Sequence, residues 1–82
     1  MPFVYLLESK KDGKFYIGST DNIKRRLVEH NKGRVKSTKH RIPFIVKYYK
    51  NFDTINKARY LEWKLKHSAH QKKLFLKEAG VK

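Results

Sequence analysis

The chain contains no cysteine, which excludes a disulfide framework and any thiolate metal site and suits a reducing cytosol. It also contains no apolar run near the roughly 18 residues that a membrane span requires. The N-terminus reads as a strand and lacks the charged start of a signal peptide. Acidic residues are few, with 7 Asp and Glu against 21 Lys and Arg. The absences leave a small basic domain with no sign of export.

The excess of basic residues gives a net charge of +14 over 82 residues, which predicts a potential that recruits polyanions. A hydrophobic fraction of 39% is too high for a disordered tail, so we expect one domain with a modest core. Nucleic acid is the leading partner. Two alternatives are a solvated Lys-rich surface and an anionic membrane, although no predicted helix combines a wide apolar face with a basic one.

The N-terminal third is typical of a β-hairpin. Phe3-Val4-Tyr5-Leu6-Leu7 is a β-type run, residues 14–18 alternate before a glycine, and a turn signal with Asp12-Gly13 lies between them. If Ser9 faces Lys14, then Tyr5 faces Gly18, and Tyr5 and Tyr16 share one face of the sheet. A shift of one residue would separate the two rings.

Three helices and one further strand follow the hairpin. Thr20 or Asp21 caps a helix that runs to about Asn31, and Gly33 ends it. Residues 32–42 read as a basic loop without regular structure, and Phe44 to Tyr49 as the third strand. Asp53 or Thr54 caps a helix to about His67, and Ser68 to Gln71 resembles a capping box that starts the last helix. The order ββαβαα predicts an α+β domain with a small, three-stranded, mostly antiparallel sheet flanked by helices.

Glu62 is the acid that local structure explains least. The other six read as caps, turn residues, a strand end or solvated helix positions, whereas Glu62 lies at the edge of an apolar helix stripe. A carboxylate there needs a partner. It could hold a hard cation such as Mg²⁺, which keeps several waters and accepts one protein ligand. The alternative is an ion pair with Arg59 or Lys66.

Four further residues carry groups that phosphodiester chemistry uses. Arg26 could clamp a phosphate oxygen with its planar fork, and His30, at i+4 on the same face, could move protons. Tyr5 and Tyr16 could place hydroxyl groups beside them. Each has a structural alternative: any of 20 other bases could replace Arg26, His30 could be a hydrogen-bonded packing residue, and both tyrosines could be ordinary sheet residues.

From Phe3 to about Lys66 the chain resembles a GIY-YIG nuclease domain, in particular its small single-domain bacterial branch. The second half of the signature stands as Tyr16-Ile17-Gly18, followed at the family's spacing by Arg26 and His30 and later by Glu62. The first half reads Phe3-Val4-Tyr5, which keeps the tyrosine and replaces the glycine.

The resemblance implies a role for each of these residues. Glu62 would hold one divalent ion, Mg²⁺ or Mn²⁺. Tyr16 would act as general base or orient the nucleophile, with Tyr5 beside it. Arg26 would stabilise the transition state, and His30 would assist proton transfer or phosphate positioning. Gly18 would let the backbone pass close to the site.

We therefore expect residues 1–82 to form one GIY-YIG-like domain: a metal-dependent DNA endonuclease of low sequence specificity, acting on branched or damaged DNA in the bacterial cytosol. Binding to DNA would use the cations of the basic loop 32–42, namely Lys32, Arg34, Lys36, Lys39 and Arg41. We expect a monomer or weak homodimer. The alternatives are a catalytically idle nucleic-acid-binding module and a subunit whose aromatic residues, such as Trp63 or Phe75, dock a larger repair protein.

Overall fold

The computed structural model describes residues 1–81, so the last residue of the predicted domain lies outside the described part. Two strands, a helix, a third strand and two helices follow one another, which confirms the predicted order ββαβαα. The sheet has the order β2-β1-β3, and both pairs of neighbouring strands are antiparallel. The strands are β1 (Phe3–Ser9), β2 (Phe15–Thr20) and β3 (Phe44–Asn51); the helices are α1 (Ile23–Asn31), α2 (Ile55–His67) and α3 (Ala69–Glu78).

The hairpin of β1 and β2 has the predicted register. Tyr5 is opposite Gly18, and the Ser9 amide donates a hydrogen bond to the Lys14 carbonyl over 2.9 Å. The side chain of Asp12 closes the turn by accepting a hydrogen bond from the Lys14 amide over 2.9 Å. This register fixes which residues of β2 lie on the same side of the sheet as Tyr5.

The central strand β1 supplies side chains to two separate apolar clusters, because successive residues of a strand point to opposite faces. Val4 and Leu6 are fully buried on the face that α2 and α3 cover. Tyr5 and Leu7 are buried on the face that α1 covers, where Leu27 packs against them. Helices cover both faces of this three-stranded sheet, so side chains from the two faces come together around its edge strands.

Each helix starts at a side chain that accepts a hydrogen bond from the first turn. Asn22 caps α1, so the prediction of Thr20 or Asp21 was wrong. Asp21 forms an ion pair with Arg25 instead. Thr54, one of the two predicted candidates, caps α2, and Ser68 caps α3 as predicted. Asparagine is as good a cap as serine or aspartate, so sequence alone could not choose among three adjacent candidates.

The basic loop 32–42 is more ordered than expected. Residues Lys39–Arg41 form a short 3₁₀ helix, and Thr38 is completely buried. Arg41 pairs with Asp12 of the hairpin turn over 2.9 Å and donates a hydrogen bond to the Phe15 carbonyl over 3.3 Å. These contacts tie the loop to the hairpin.

Phe75 is a core residue and not a docking residue. Its side chain is 3% exposed and packs edge-on against Tyr48, with the ring centres 5.5 Å apart. Trp63, in contrast, is 56% exposed. Within residues 1–81 no helix is both long enough and apolar enough to cross a membrane.

Candidate active site at the edge of the sheet

Tyr5 and Tyr16 lie side by side on the face of the sheet that α1 covers. Their ring centres are 6.4 Å apart. Gly18 makes this arrangement possible, since a Cβ atom at that position would lie 2.5 Å from the Tyr5 hydroxyl and 2.6 Å from its Cζ atom. Tyr5 therefore fills the space that the glycine leaves open. The Tyr16 hydroxyl makes no hydrogen bond with the described residues, whereas that of Tyr5 does.

The partner of the Tyr5 hydroxyl is His30, a completely buried residue in the last turn of α1. The Tyr5 Oη and His30 Nε2 atoms are 3.0 Å apart, and His30 Nδ1 is 2.8 Å from Thr38 Oγ1. The Thr38 hydroxyl donates to the Val35 carbonyl over 3.4 Å. This direction assigns the proton of the ring to Nδ1, so that Nε2 accepts a hydrogen bond from Tyr5.

Burial keeps both groups of this pair uncharged at neutral pH. Burial and, to a smaller extent, the nearby Arg26 charge lower the pKa of His30 to about 4 against an opposing effect of Glu29. Burial also raises the pKa of Tyr5 to about 12, although the adjacent Arg26 guanidinium acts in the other direction. His30 is therefore a neutral acceptor, and in this conformation its buried ring is not accessible to a phosphate in solvent.

Arg26 connects the buried pair to the surface. Its guanidinium lies beside the Tyr5 hydroxyl, which raises the arginine's pKa, and its Nη1 atom is 3.1 Å from Glu29 Oε1. About a third of its side chain, 35%, is exposed. The guanidinium can therefore exchange its surface partner Glu29 for an incoming anion while it remains next to Tyr5.

Glu62 approaches from the opposite face of the sheet. Its Oε1 atom accepts a hydrogen bond from Ser19 over 2.5 Å, and its Oε2 atom is 2.8 Å from Lys66 Nζ. The Lys66 Nζ atom in turn lies 5.3 Å from the centre of the Tyr16 ring. The side chains of Glu62 and Lys66 thus extend around the edge strand β2 towards the tyrosines. Of the two partners predicted for the ion pair, Lys66 is the one found and Arg59 is not.

The donor set fits a hydrated divalent ion bound through one carboxylate. Within the described part of the chain no three His, Asp or Glu side chains form a metal-binding group. An ion of the Mg²⁺ type does not need such a group, because it keeps several waters and uses substrate phosphate oxygens. The Glu62 side chain is 23% exposed at the sheet edge, so it can serve as that ligand once Lys66 releases it.

The cations of the basic loop differ in how free they are. The side chains of Lys32, Arg34, Lys36 and Lys39 are exposed, whereas that of Arg41 is half-buried and paired with Asp12. Exposed cations can follow a phosphate backbone. Arg41 has a structural task that the sequence did not reveal.

Three residues that support the site were not predicted. Thr38 holds the His30 ring, Ser19 holds the Glu62 carboxylate, and the Asn31 side chain joins α1 to β3 by two hydrogen bonds to the Phe44 backbone, of 2.7 and 3.0 Å. Ser19 directly follows Gly18, which is a local signal. Thr38 lies in a Lys-rich stretch without any pattern that points to a buried hydroxyl.

Phe3 stands where the resemblance to the GIY-YIG signature would place a glycine. Its ring packs edge-on against Tyr49 of β3, with the ring centres 5.7 Å apart. The aromatic side chain thus joins the central strand to β3, on the side of β1 away from β2. The replacement leaves the Tyr5 contacts with Gly18 and His30 in place.

A family model described as "GIY-YIG catalytic domain" matches residues 1–74. The chain belongs to this family. The family is one of nucleases, and these generally use divalent metal ions.

The chain is similar to several UPF0213 proteins. The chain is 37% identical to a UPF0213 protein of Staphylococcus saprophyticus, over 95% of both chains. It is 39% identical to a UPF0213 protein of Lacticaseibacillus paracasei, over 85% of this chain and 81% of the relative. A solution NMR structure of a UPF0213 protein from Bacillus halodurans shares the fold, with a TM-score of 0.56 and 35% identity over 95% of this chain and 84% of that one. These relatives are small GIY-YIG proteins.

Proposed function

We propose that the protein is a metal-dependent endonuclease of low sequence specificity that hydrolyses phosphodiester bonds in DNA, including branched or damaged DNA in repair. The observation that carries the proposal is the convergence at the β2 edge. There the Tyr16 ring lies 5.1 Å from that of His30 on one side and 5.3 Å from Lys66 Nζ on the other. A hydroxyl, a neutral base, an arginine and a carboxylate stand within one small region.

Tyr16 is the proposed group that acts on the attacking water, either as general base or by orienting it. Its hydroxyl is the one of the pair that has no partner among residues 1–81, so a water or phosphate can approach it. Tyr5 and His30 have a supporting role. Their buried hydrogen bond, in which neutral His30 is the acceptor, fixes the Tyr5 hydroxyl next to Arg26.

Arg26 and Glu62 are proposed to neutralise the negative charge of the phosphoryl group, Arg26 directly and Glu62 through a bound metal ion. Arg26 would exchange Glu29 for a phosphate oxygen and neutralise the charge that develops in the transition state. Glu62 would hold one Mg²⁺ or Mn²⁺ ion. When bound, such an ion supplies charge neutralisation on the phosphoryl group and a more acidic water. Four exposed cations of the basic loop would grip the DNA backbone without reading sequence.

The test is cleavage of labelled linear, flapped and four-way-junction DNA, in Mg²⁺ and in Mn²⁺, by the natural protein and by Glu62→Ala. We expect cleavage by the natural protein and none by the variant, with DNA binding nearly unchanged because removal of a carboxylate also removes repulsion. Glu78→Ala is the matched control, since that carboxylate contacts Tyr48 and Lys50 and lies outside the proposed site. Cleavage by Glu62→Ala at the natural rate would contradict the proposal.

A second candidate function, a binding module that holds nucleic acid without cutting it, is favoured by one observation. The Lys66 ammonium occupies the carboxylate that a metal ion would use. Tight binding to every substrate with no cleavage in either metal would favour this candidate over the nuclease.

A further inference from the structure

Helix α2 carries a row of aromatic side chains that the site does not use. Tyr60, Trp63 and His67 follow one another at helical spacing on the outer face, away from the buried Ala58 and Leu65. Tyr60 is 63% and Trp63 56% exposed. Two large aromatic side chains that are exposed on one helix face contribute little to the core. Their exposure indicates a surface that binds a ligand.

The rings are nearly parallel to one another. The planes of Tyr60 and Trp63 differ by 13° and those of Trp63 and His67 by 22°, with ring centres 6.4 and 4.7 Å apart. The His67 ring is itself fixed, because its Nδ1 atom donates to the Trp63 carbonyl over 2.8 Å. Rings held in parallel before a ligand arrives lose little freedom on binding, which favours affinity.

Positive charge surrounds the row. Lys64 Nζ lies 5.4 Å from the centre of the Tyr60 ring. Arg59 and Lys66 lie between the row and Glu62 on the helical wheel at 100° per residue. The core of a protein–protein interface is enriched in aromatic residues but depleted in lysine. Aromatic rings interleaved with cations match single-stranded nucleic acid instead, whose bases stack while its phosphates need neutralising.

The row is also close to the proposed catalytic edge. Trp63 directly follows Glu62, so the two side chains are separated by about 100° around α2, or roughly 10 Å along its surface. At the duplex spacing of about 3.4 Å per nucleotide that distance corresponds to about three nucleotides, and an extended strand spans it with fewer. Because the Trp63 ring is itself stacked with Tyr60 and His67, a base would stack at an open end of the row, and its strand would then pass Lys66 on its way to Tyr16.

We propose that Tyr60, Trp63 and His67 form a stacking platform for an unpaired base, which makes a nucleic acid with a single-stranded segment the preferred substrate. The inference rests on the proposed nuclease function for its consequence, but the binding site can be tested without cleavage. The chain has one tryptophan, so fluorescence excited selectively from tryptophan and not from the five tyrosines reports on Trp63 alone.

In the experiment, a 12-nucleotide oligothymidylate or a 12-base-pair duplex is added stepwise to the full chain. EDTA is present to prevent cleavage. We expect the single strand to quench the fluorescence of Trp63 and the duplex to leave it nearly unchanged. In a parallel anisotropy assay with labelled DNA, Tyr60→Ala and Trp63→Ala should each weaken single-strand binding by roughly five- to a hundredfold and duplex binding by less than twofold.

Tyr60→Phe, which keeps the ring, should bind single strands as the natural protein does. Tyr49→Ala removes another exposed tyrosine, 52% exposed on β3, and should change neither affinity. Thermal unfolding of each variant checks that the fold persists. Absence of quenching by the single strand, or equal loss of single-strand and duplex affinity in Tyr60→Ala, would overturn the platform and leave a protein partner as the occupant of this face.

Failure of the platform and failure of the nuclease are distinguishable. Quenching in EDTA without cleavage in any metal would retain the platform and reject the nuclease. Cleavage that depends on Glu62, combined with single-strand binding that ignores Tyr60 and Trp63, would retain the nuclease and reject the platform.

Discussion

The Tyr5 hydroxyl and the His30 Nε2 atom are 3.0 Å apart inside the protein, where one residue belongs to the central strand and the other to helix α1. This hydrogen bond is part of the core and part of the candidate site at the same time. It connects the stability of the domain to the ionisation of one buried imidazole.

Stability should therefore fall as pH is lowered from about 6.5 to about 4. The pKa of His30 is lowered to about 4 in the folded state, so the unfolded chain binds the extra proton first. The contribution is complete above pH 6.5 and is lost as pH approaches 4. It amounts to about 3.5 kcal/mol at most, since each tenfold change in proton affinity corresponds to about 1.4 kcal/mol. Urea unfolding across this range measures it.

The matched variants for this pH dependence are His30→Gln and His40→Gln. His40 is exposed, so its replacement should leave the slope as it is, whereas His30→Gln should flatten the slope between pH 4 and 6.5. An unchanged slope in His30→Gln would show that other groups dominate acid destabilisation.

Tyr16→Phe should lower the rate of DNA cleavage by roughly a hundred- to ten-thousandfold, the usual contribution of a positioned acid–base group. The ring stays, so its packing against His30 and the unfolding temperature should change little. Single-turnover cleavage measures the rate. Tyr49→Phe, which removes an exposed hydroxyl on β3, is the control and should cleave normally; a normal rate in Tyr16→Phe would remove this residue from the mechanism.

Gly18→Ala should destabilise the protein by about 1–3 kcal/mol, as overpacking of a core does, and should reduce cleavage. The new methyl group would lie 2.5 Å from the Tyr5 hydroxyl, so the tyrosine must move. Gly13→Ala is the comparison: its φ of 71° makes alanine strained by about 1–2 kcal/mol, but nothing lies within 4 Å of the added atom. Denaturant unfolding should show that both variants lose stability. Only Gly18→Ala should also lose activity.

Lys66→Met should lower the Mg²⁺ concentration needed for half-maximal cleavage. The ammonium competes with the ion for Glu62, and exposed ion pairs of this kind contribute up to about 1 kcal/mol, which corresponds to roughly a fivefold change. Metal titrations of the cleavage rate measure the effect. Lys64→Met, which removes a neighbouring charge without a contact to Glu62, should leave the midpoint unchanged. A higher midpoint in Lys66→Met would mean that the lysine assists the reaction.

DNA affinity should fall linearly, on logarithmic scales, with salt concentration, and Lys36→Ala should make the slope shallower by about one. Lys36 is exposed and free to contact a phosphate. Arg41→Ala should instead lower the unfolding temperature, because it removes the ion pair with Asp12 and the hydrogen bond to Phe15. A flat salt dependence in the natural protein would contradict a grip on phosphates.

The register of the hairpin could be predicted from sequence because a turn signal of known length fixes which residues face each other. Once Ser9 faced Lys14, Tyr5 had to face Gly18. The helix end at Gly33 was likewise predictable, since this glycine adopts a positive φ that other residues avoid.

The contacts between distant segments could not be predicted in this way. Thr38 is 8 residues from His30 and Ser19 is 43 residues from Glu62, and nothing in the local pattern marks either hydroxyl as a partner. The ordered part of the basic loop escaped notice for the same reason, because its buried threonine is explained only by the ring that it holds.

The close packing of Tyr5 against Gly18 limits which residues of the domain can be substituted without loss of stability. Because Tyr5 and His30 are buried and hydrogen-bonded to each other, substituting either one would put the fold at risk along with any activity. Tyr16 and Glu62, which lie on opposite sides of β2, are the positions that can be substituted with less risk to the fold. A folded variant altered there would keep the protein's surface charge nearly intact and would report where the natural protein binds nucleic acid.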